Sequence, residues 1–323
     1  MNTPNRWFRL LHCMSAVVSV FLAGCIDSTP ESDAEAEGDD ADALQTRYVE
    51  LGDFVTSDAD IERWREIRQK LDAGFDDVCG DTFCEGDYTN LQSLGFTCSV
   101  SSKQGRIREC VWTFAASNEA IDAGTGAIAA DIPFFECRFR PTGKVSGLLQ
   151  SFGDDPLRST LPGADTSIYD ALGDCFNHPI DATALPAPVE GPYVGATDLL
   201  EGESIDAWYA MTHALAAEFD SICGDSFCEG DYTNLEALRF SCSTNTETQK
   251  LGTCAWTFAG SANVLRHNGF VRVEGQPFTC SFTVDATPAE LASALAPSSE
   301  GSVLYRALPG ATTSINDALI DCL

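Results

Sequence analysis

The stretch CGDTFCEGDYTNL, residues 79–91, returns at 223–235 as CGDSFCEGDYTNL, with one Thr exchanged for Ser. Extended outward at an offset of 144, the match becomes CGDTFCEGDYTNLQSLGFTCSV against CGDSFCEGDYTNLEALRFSCST, 16 identities in 22 positions. Farther on, CVWTFAAS at 110–117 answers CAWTFAGS at 254–261, and LPGADTSIYDALGDC at 161–175 answers LPGATTSINDALIDC at 308–322. The pair Tyr48-Val49 and Tyr193-Val194 carries the correspondence upstream. Solenoid units repeat every 20 to 50 residues or so, and a period this much longer predicts two tandem globular domains. The expected units are 46–178 and 191–323, joined by a linker at 179–190. Pro179, Pro186, Pro188 and nearby Pro192 should make that linker semi-rigid, holding the lobes apart or at a set angle.

Within each unit the apolar period changes in order. Ile61, Trp64, Ile67, Leu71, Phe75 and Val78 recur every three or four residues, as do Ile205, Trp208, Met211, Leu215, Phe219 and Ile222. That spacing predicts an amphipathic helix in each, and Gly80 and Gly224 are expected to end it as left-handed caps. After the quoted loop the period becomes two. Phe96, Cys98 and Val100, then Cys110, Trp112 and Phe114, then Phe135, Cys137 and Phe139 alternate with less apolar neighbours, as half-buried strands do. Two helices should follow, over 144–152 and from Ile168 to Cys175, with Ser167/Asp170 and Ser314/Asp317 at capping-box spacing. The predicted fold class is α+β. Each domain is an amphipathic helix, a three-stranded antiparallel meander and C-terminal helices packed on one sheet face. Trp112 and Trp256, on the aromatic face of their strands, are expected in the core.

Of 14 Cys, twelve fall six to a half with matching spacings: Cys79, Cys84, Cys98, Cys110, Cys137 and Cys175, then Cys223, Cys228, Cys242, Cys254, Cys280 and Cys322. An even number in an exported chain implies three disulfides per domain, and six Cys allow 15 pairings. Cys79, Cys84 and Cys175 lie off the strands, so they are expected to bridge largely to the strand Cys. Zinc knuckles do not fit, because the Cys are too widely spaced and no His recurs beside them.

The remaining two Cys belong to the start of the chain. Arg6 and Arg9 precede an apolar run from Leu10 to Ala23, shorter than the roughly 20 residues of a membrane span and closed by small residues. This is the anatomy of a removable export signal, residues 1–24. Leu22-Ala23-Gly24-Cys25 resembles the lipobox of bacterial lipoproteins, which implies cleavage before Cys25 and attachment of lipids, palmitate among them, to its amine and thiol. The alternative is an ordinary cleaved signal with a free Cys25 thiol. The segment 25–45 reads as a tether, since Asp27 to Asp42 contains eight acids and no base and cannot bury enough apolar surface to fold. Lipoproteins of diderm bacteria held at the inner membrane carry Asp after the lipidated Cys. Ile26 stands there instead, so the resemblance implies a cell-envelope lipoprotein at the outer membrane.

The repeated loop offers hard oxygen donors at Asp81, Glu85, Asp87 and Asn90, and again at Asp225, Glu229, Asp231 and Asn234. Such a set suits calcium at extracellular concentrations, the one candidate cofactor. The EF-hand pattern is broken, however, by Phe83 at a ligand position and by Gln92 where the final Glu belongs, with Glu236 there only in the second copy. The competing reading is a turn-rich corner fastened by Cys84. No catalytic residue is assigned. The chain beyond the signal has only His178, His213 and His267, none duplicated, and no G-x-S-x-G elbow, which argues against a Ser or Cys nucleophile with a His base. Glu85 with Asp87, or Asp170 with Asp174, would be the acid and base of a carboxylate-based hydrolase.

The formal charge is −30, and losing Arg6 and Arg9 with the signal makes it −32. Nucleic acid and anionic lipid headgroups are repelled by such a chain, whereas a cationic protein or peptide is attracted. The expectation is therefore an exported, membrane-anchored, non-catalytic binding or envelope-associated module. The alternatives are a carboxylate hydrolase of the envelope and a calcium-stabilised adhesion or recognition protein. A helix followed by an antiparallel meander also resembles cystatin-like folds, without their inhibitory motif.

Overall fold

The structure, a computed structural model, describes residues 48–230, 232, 234–297 and 301–323. The signal segment, Cys25 and the acidic tether lie outside them. Each half begins with a short strand, β1 (Tyr48–Glu50), and runs into a long helix, α1 (Asp58–Cys79). Ser57 caps α1 by accepting from the Asp60 amide, and Trp64, Ile67, Leu71 and Phe75 are its buried stripe. Then come β2 (Gln92–Ser101), β3 (Ile107–Ala115), a two-stranded ribbon of β4 (Asn118–Ile121) and β5 (Ile128–Asp131), and β6 (Phe134–Phe139). Helices α2 (Val145–Ser151) and α3 (Ile168–Cys175) close the half. The second half follows the same plan with β7 (Tyr193–Gly195), α4 (Glu203–Cys223), β8 (Glu236–Asn245), β9 (Leu251–Leu265), β10 (Val271–Thr283), α5 (Pro288–Ala294) and α6 (Ile315–Ile320).

The fold is mixed α+β with antiparallel sheets. Each main sheet has four strands, not three, in the orders β1-β2-β3-β6 and β7-β8-β9-β10. The extra edge strand is the repeated Tyr-Val pair, too short for alternation to show. Both capping boxes form, at Ser167/Asp170 and Ser314/Asp317. Gly80 and Gly224 do not reverse the chain. With φ of −62° and −63° they stay right-handed and lead into one tight turn, Phe83–Glu85 and Phe227–Glu229. Helices and sheet enclose one aromatic core per half, centred on Phe75, Trp112 and Phe114 and on Phe219, Trp256 and Phe258, so both Trp are core residues.

Six disulfides form, three in each half, and two of the three bridge types differ from expectation. Cys137–Cys175 and Cys280–Cys322 do tie a core strand to the end of the last helix or the turn just beyond it. Cys98, however, pairs with Cys110, and Cys242 with Cys254, straight across adjacent strands. The register seats each pair directly opposite, with Cα atoms 4.0 Å apart and side chains on the same face. That leaves Cys79 for Cys84 and Cys223 for Cys228, since the tight turn after the helix folds each partner back within five residues.

The sheet faces turned away from the helices are covered as well. Leu94, Ala115, Ile132 and Phe134 of the first half pack with Ala259 of the second, and Leu238 lies against them. Around this apolar spot Ser99, Glu109, Thr113, Ser117, Ser243, Thr257 and Ser261 are buried despite their polarity. These are the residues that alternation reserves for solvent. Here the two sheets are back to back, and the helices form the outer layers on both sides.

Each half also reaches across the other. The β4–β5 ribbon sets Gly126 against the ring of Tyr193, and the β9–β10 hairpin sets Gly269 against the ring of Tyr48. Both glycines have positive φ, 76° and 83°, and a Cβ at either would fall 2.7 Å from a ring carbon. The repeated Tyr is thus a seat for the opposite half's arm, and its neighbour Ala123 accepts from the Tyr193 amide at 3.0 Å.

Candidate functional site

The repeated loop is held by its own polar residues. Asn90 Oδ1 accepts from the Ser117 amide at 3.1 Å, and its Nδ2 donates to Ser117 Oγ at 2.9 Å. Asn234 makes the same pair of bonds to Ser261, at 3.0 and 2.7 Å, and also donates to the Leu94 carbonyl of the first half. Tyr88 donates to Asp131 Oδ2 at 2.7 Å, and burial, then that bond, pushes its phenol up to about 12. Asp131 in turn accepts from the Thr183 amide and hydroxyl, fixing the linker to the sheet.

Of the candidate cation ligands, Asp81, Glu85, Asp87 and Asp225 are exposed. Asp231 and the side chain of Glu229 lie outside the described residues. Among the described residues no group of three or more His, Cys, Asp or Glu is arranged to hold a metal ion. Asp170 is committed to the cap of α3.

A cleft of about 660 Å³ opens elsewhere, against the helix and sheet of the second half. That volume lies within the range typical of small-molecule sites. Trp208, Tyr209, Thr212, His213 and Ala216 of α4 form one wall, Ala237 to Cys242 of β8 another, and Trp256 lies at the floor. The first half contributes Thr89, Gln92, Glu119 and Ile121 at the rim.

The reason for the cleft is legible by comparison with the first half. There the Trp112 indole donates to Ser93 Oγ at 2.7 Å, Ser93 donates to Asp72 Oδ1 at 2.7 Å, and the Arg68 guanidinium lies over the Trp64 ring at 5.8 Å. At the corresponding positions the second half has Ala237, Ala216 and Thr212. Two short side chains replace the polar bridge, and a third replaces the long cation that would lie across the ring. Among the described residues the Trp256 indole makes no hydrogen bond. An aromatic floor with an unused N–H, below an exposed tyrosine, is suited to a small ligand that brings an acceptor and an apolar face.

The rim is charged. Glu119, 5 % exposed at its side chain, pairs with Arg239 Nε at 3.2 Å and accepts from Thr257 at 3.1 Å, while Arg239 also donates to Thr89 Oγ1 at 2.7 Å. Burial raises the Glu119 carboxyl above its ordinary value, and its hydroxyl partners and Arg239 only partly offset that. The whole group crosses from one half to the other, which sequence spacing alone does not reveal. The signal for the cleft itself lay in the exceptions to the repeat, at 68/212, 72/216 and 93/237.

Comparison of the chain with protein-family models, with curated proteins and with solved structures finds no match. Among the described residues no helix is long and apolar enough to cross a membrane.

Proposed function

We propose that this protein is an exported, lipid-anchored envelope lipoprotein whose two halves are tandem copies of one disulfide-stapled domain and act together as a non-catalytic binding module. The observation that carries the binding reading is the cleft over Trp256, opened where the second half lacks the Asp72–Ser93–Trp112 bridge. The frame needs no such opening, because the first half keeps the same helix, sheet and disulfides with the space bridged. The lipobox at Leu22–Cys25 and the acidic tether support anchoring at Cys25, with the binding module held off the membrane surface.

The test is a screen of small amphipathic ligands against the full chain, read by intrinsic tryptophan fluorescence. Ligands that shift the emission of the wild type, and fail to do so once Ala216→Asp and Ala237→Ser restore the bridge, would establish the cleft as the site. Turnover of a defined substrate that is abolished by Glu85→Gln with Glu229→Gln would overturn the reading in favour of a carboxylate hydrolase. A melting shift of several degrees in excess calcium, lost when Asp81, Asp87, Asp225 and Asp231 become Asn, would replace it with a calcium-stabilised recognition protein.

A further inference from the structure

Five of the arginines in this strongly acidic chain gather at one place. Arg108 comes from β3, Arg138 from β6 and Arg140 from just after β6 in the first half, and Arg266 and Arg272 come from the β9–β10 arm of the second. Arg138, Arg140, Arg266 and Arg272 line a depression of about 410 Å³ that the arm completes as it crosses. Arg108 stands beside it with its guanidinium 4.2 Å from the centre of the Phe270 ring.

Part of this charge is answered internally. Glu109 is fully buried, and its Oε1 accepts from the Val271 amide at 2.7 Å and from Arg138 at 3.0 Å, which pins the arm to the first sheet. Glu136 pairs with Arg138 as well, and Glu274 pairs with Arg272. Three carboxylates against five guanidinium groups leave a net positive site. Among the described residues Arg140 and Arg266 are in no ion pair, and both are exposed.

The fold itself does not require these cations. The equivalents of Arg108, Arg138 and Arg140 in the second half are Gly252, Ser281 and Thr283, yet that half builds the same sheet and receives the other arm in the same way. Nor does the overall charge forbid an anion here. The Debye length is about 8 Å at physiological ionic strength, so distant carboxylates are screened while guanidinium groups at contact distance are not.

We infer that this depression is an anion site for a phosphate-bearing ligand, with Arg140 and Arg266 as its free donors and Arg138 and Arg272 as its walls. Guanidinium forks approaching from two sheets match an oxyanion with three or four accepting oxygens better than a single carboxylate, which one fork satisfies. The site is distinct from the cleft over Trp256 and does not depend on it.

The experiment is calorimetric titration of the full chain in neutral detergent with inorganic phosphate and pyrophosphate, at constant ionic strength. A second arm uses vesicles of phosphatidylcholine with and without phosphatidic acid. Arg140→Thr with Arg266→Ser is the variant, chosen because neither side chain supports the fold. Phosphate or pyrophosphate binding that weakens about tenfold or more in the variant and with rising salt supports a soluble ligand. Binding only to phosphatidic acid vesicles, also lost in the variant, supports a lipid headgroup as the source. Equal binding by wild type and variant, no binding of any of the three probes, or capture of polyglutamate in preference to phosphate would overturn the proposal.

Discussion

Trp112 and Trp256 occupy the same place in the two halves, on the same strand and against the same helix, but their surroundings differ. In the first half Ser93 and Asp72 take up the indole N–H and Arg68 lies over Trp64. In the second, alanines and a threonine leave a cleft. The opposite bias holds at the arms, where the first half's sheet carries Arg108, Arg138 and Arg140 and the second half's carries Gly252, Ser281 and Thr283. Shared residues build the frame, and the chemistry available to a ligand sits on the residues that are not shared.

The largest expected effect concerns Glu236, which opens β8 where Gln92 opens β2. Burial first, then the charges of Asp220, Asp72 and Asp76, pushes Glu236 up to about 8 from an ordinary 4.5. Asp72, Asp76 and Asp220 are themselves raised, chiefly by burial. The folded chain therefore holds a proton that the unfolded chain has released. Stability is full below about pH 4.5 and is lost as pH rises through about 8, by at most roughly 4–5 kcal/mol for this one group. Glu236→Gln gives the second half the neutral residue of the first, so denaturant unfolding at pH 5 and pH 8.5 should show a clearly smaller loss in the variant. Equal losses would mean that Glu236 is not held protonated in the folded chain.

Next come the disulfides, where the halves should agree. The bridges Cys137–Cys175 and Cys280–Cys322 close loops of 38 and 42 residues, and removing either should cost about 4 kcal/mol by loop entropy. Cys79–Cys84 and Cys223–Cys228 close only five, and should cost about 2 kcal/mol. Double Cys→Ala variants compared by chemical denaturation would test this ranking, and a small bridge that mattered most would point to strain or a role beyond stability.

The Asn clamps sharpen the comparison further. Asn90→Ala leaves the Ser117 amide without a partner, at about 1–3 kcal/mol, while the Ser117 hydroxyl keeps Glu119 and Thr257. Asn234→Ala should cost more, since it also strips the Leu94 carbonyl in the other half. Thermal melts of the two variants decide it. The smallest effect is expected from Asp72→Ala with Ser93→Ala, which strands the Trp112 indole for about 1–2 kcal/mol. It should also open a second cleft, visible as greater quenching of tryptophan fluorescence by acrylamide.

Much of the frame was legible from single residues. The stripe Trp64, Ile67, Leu71 and Phe75 gave α1, the alternation around Cys98 and Trp112 gave the strands, and Ser167 with Asp170 gave the start of α3. Alternation reports one buried face and is silent about what covers the other. Thr113 and Thr257 therefore read as solvent-facing, although the opposing sheet buries both. The quoted loop was legible as important but not for its reason. Its Asn is a clamp, its Tyr88 holds Asp131, and its cysteine closes a five-residue turn. Cys98 and Cys110 could not be paired by counting, because their bond depends on register. The cleft and the arginine site were invisible because each is assembled across the halves, and their signal is a departure from the repeat.

The crossed arms have one more consequence. Were the same contacts made between two identical chains, twofold symmetry would oblige any charge placed on one sheet to appear on the other, and every pocket would be built twice. Joined by residues 179–190, the two sheets are spared that obligation. One side has been free to gather guanidinium groups and the other to hollow out a groove, while Tyr48 and Tyr193 still receive the opposite arm in the same way. The linker's largest effect is then on symmetry, since it lets one architecture present two unlike surfaces.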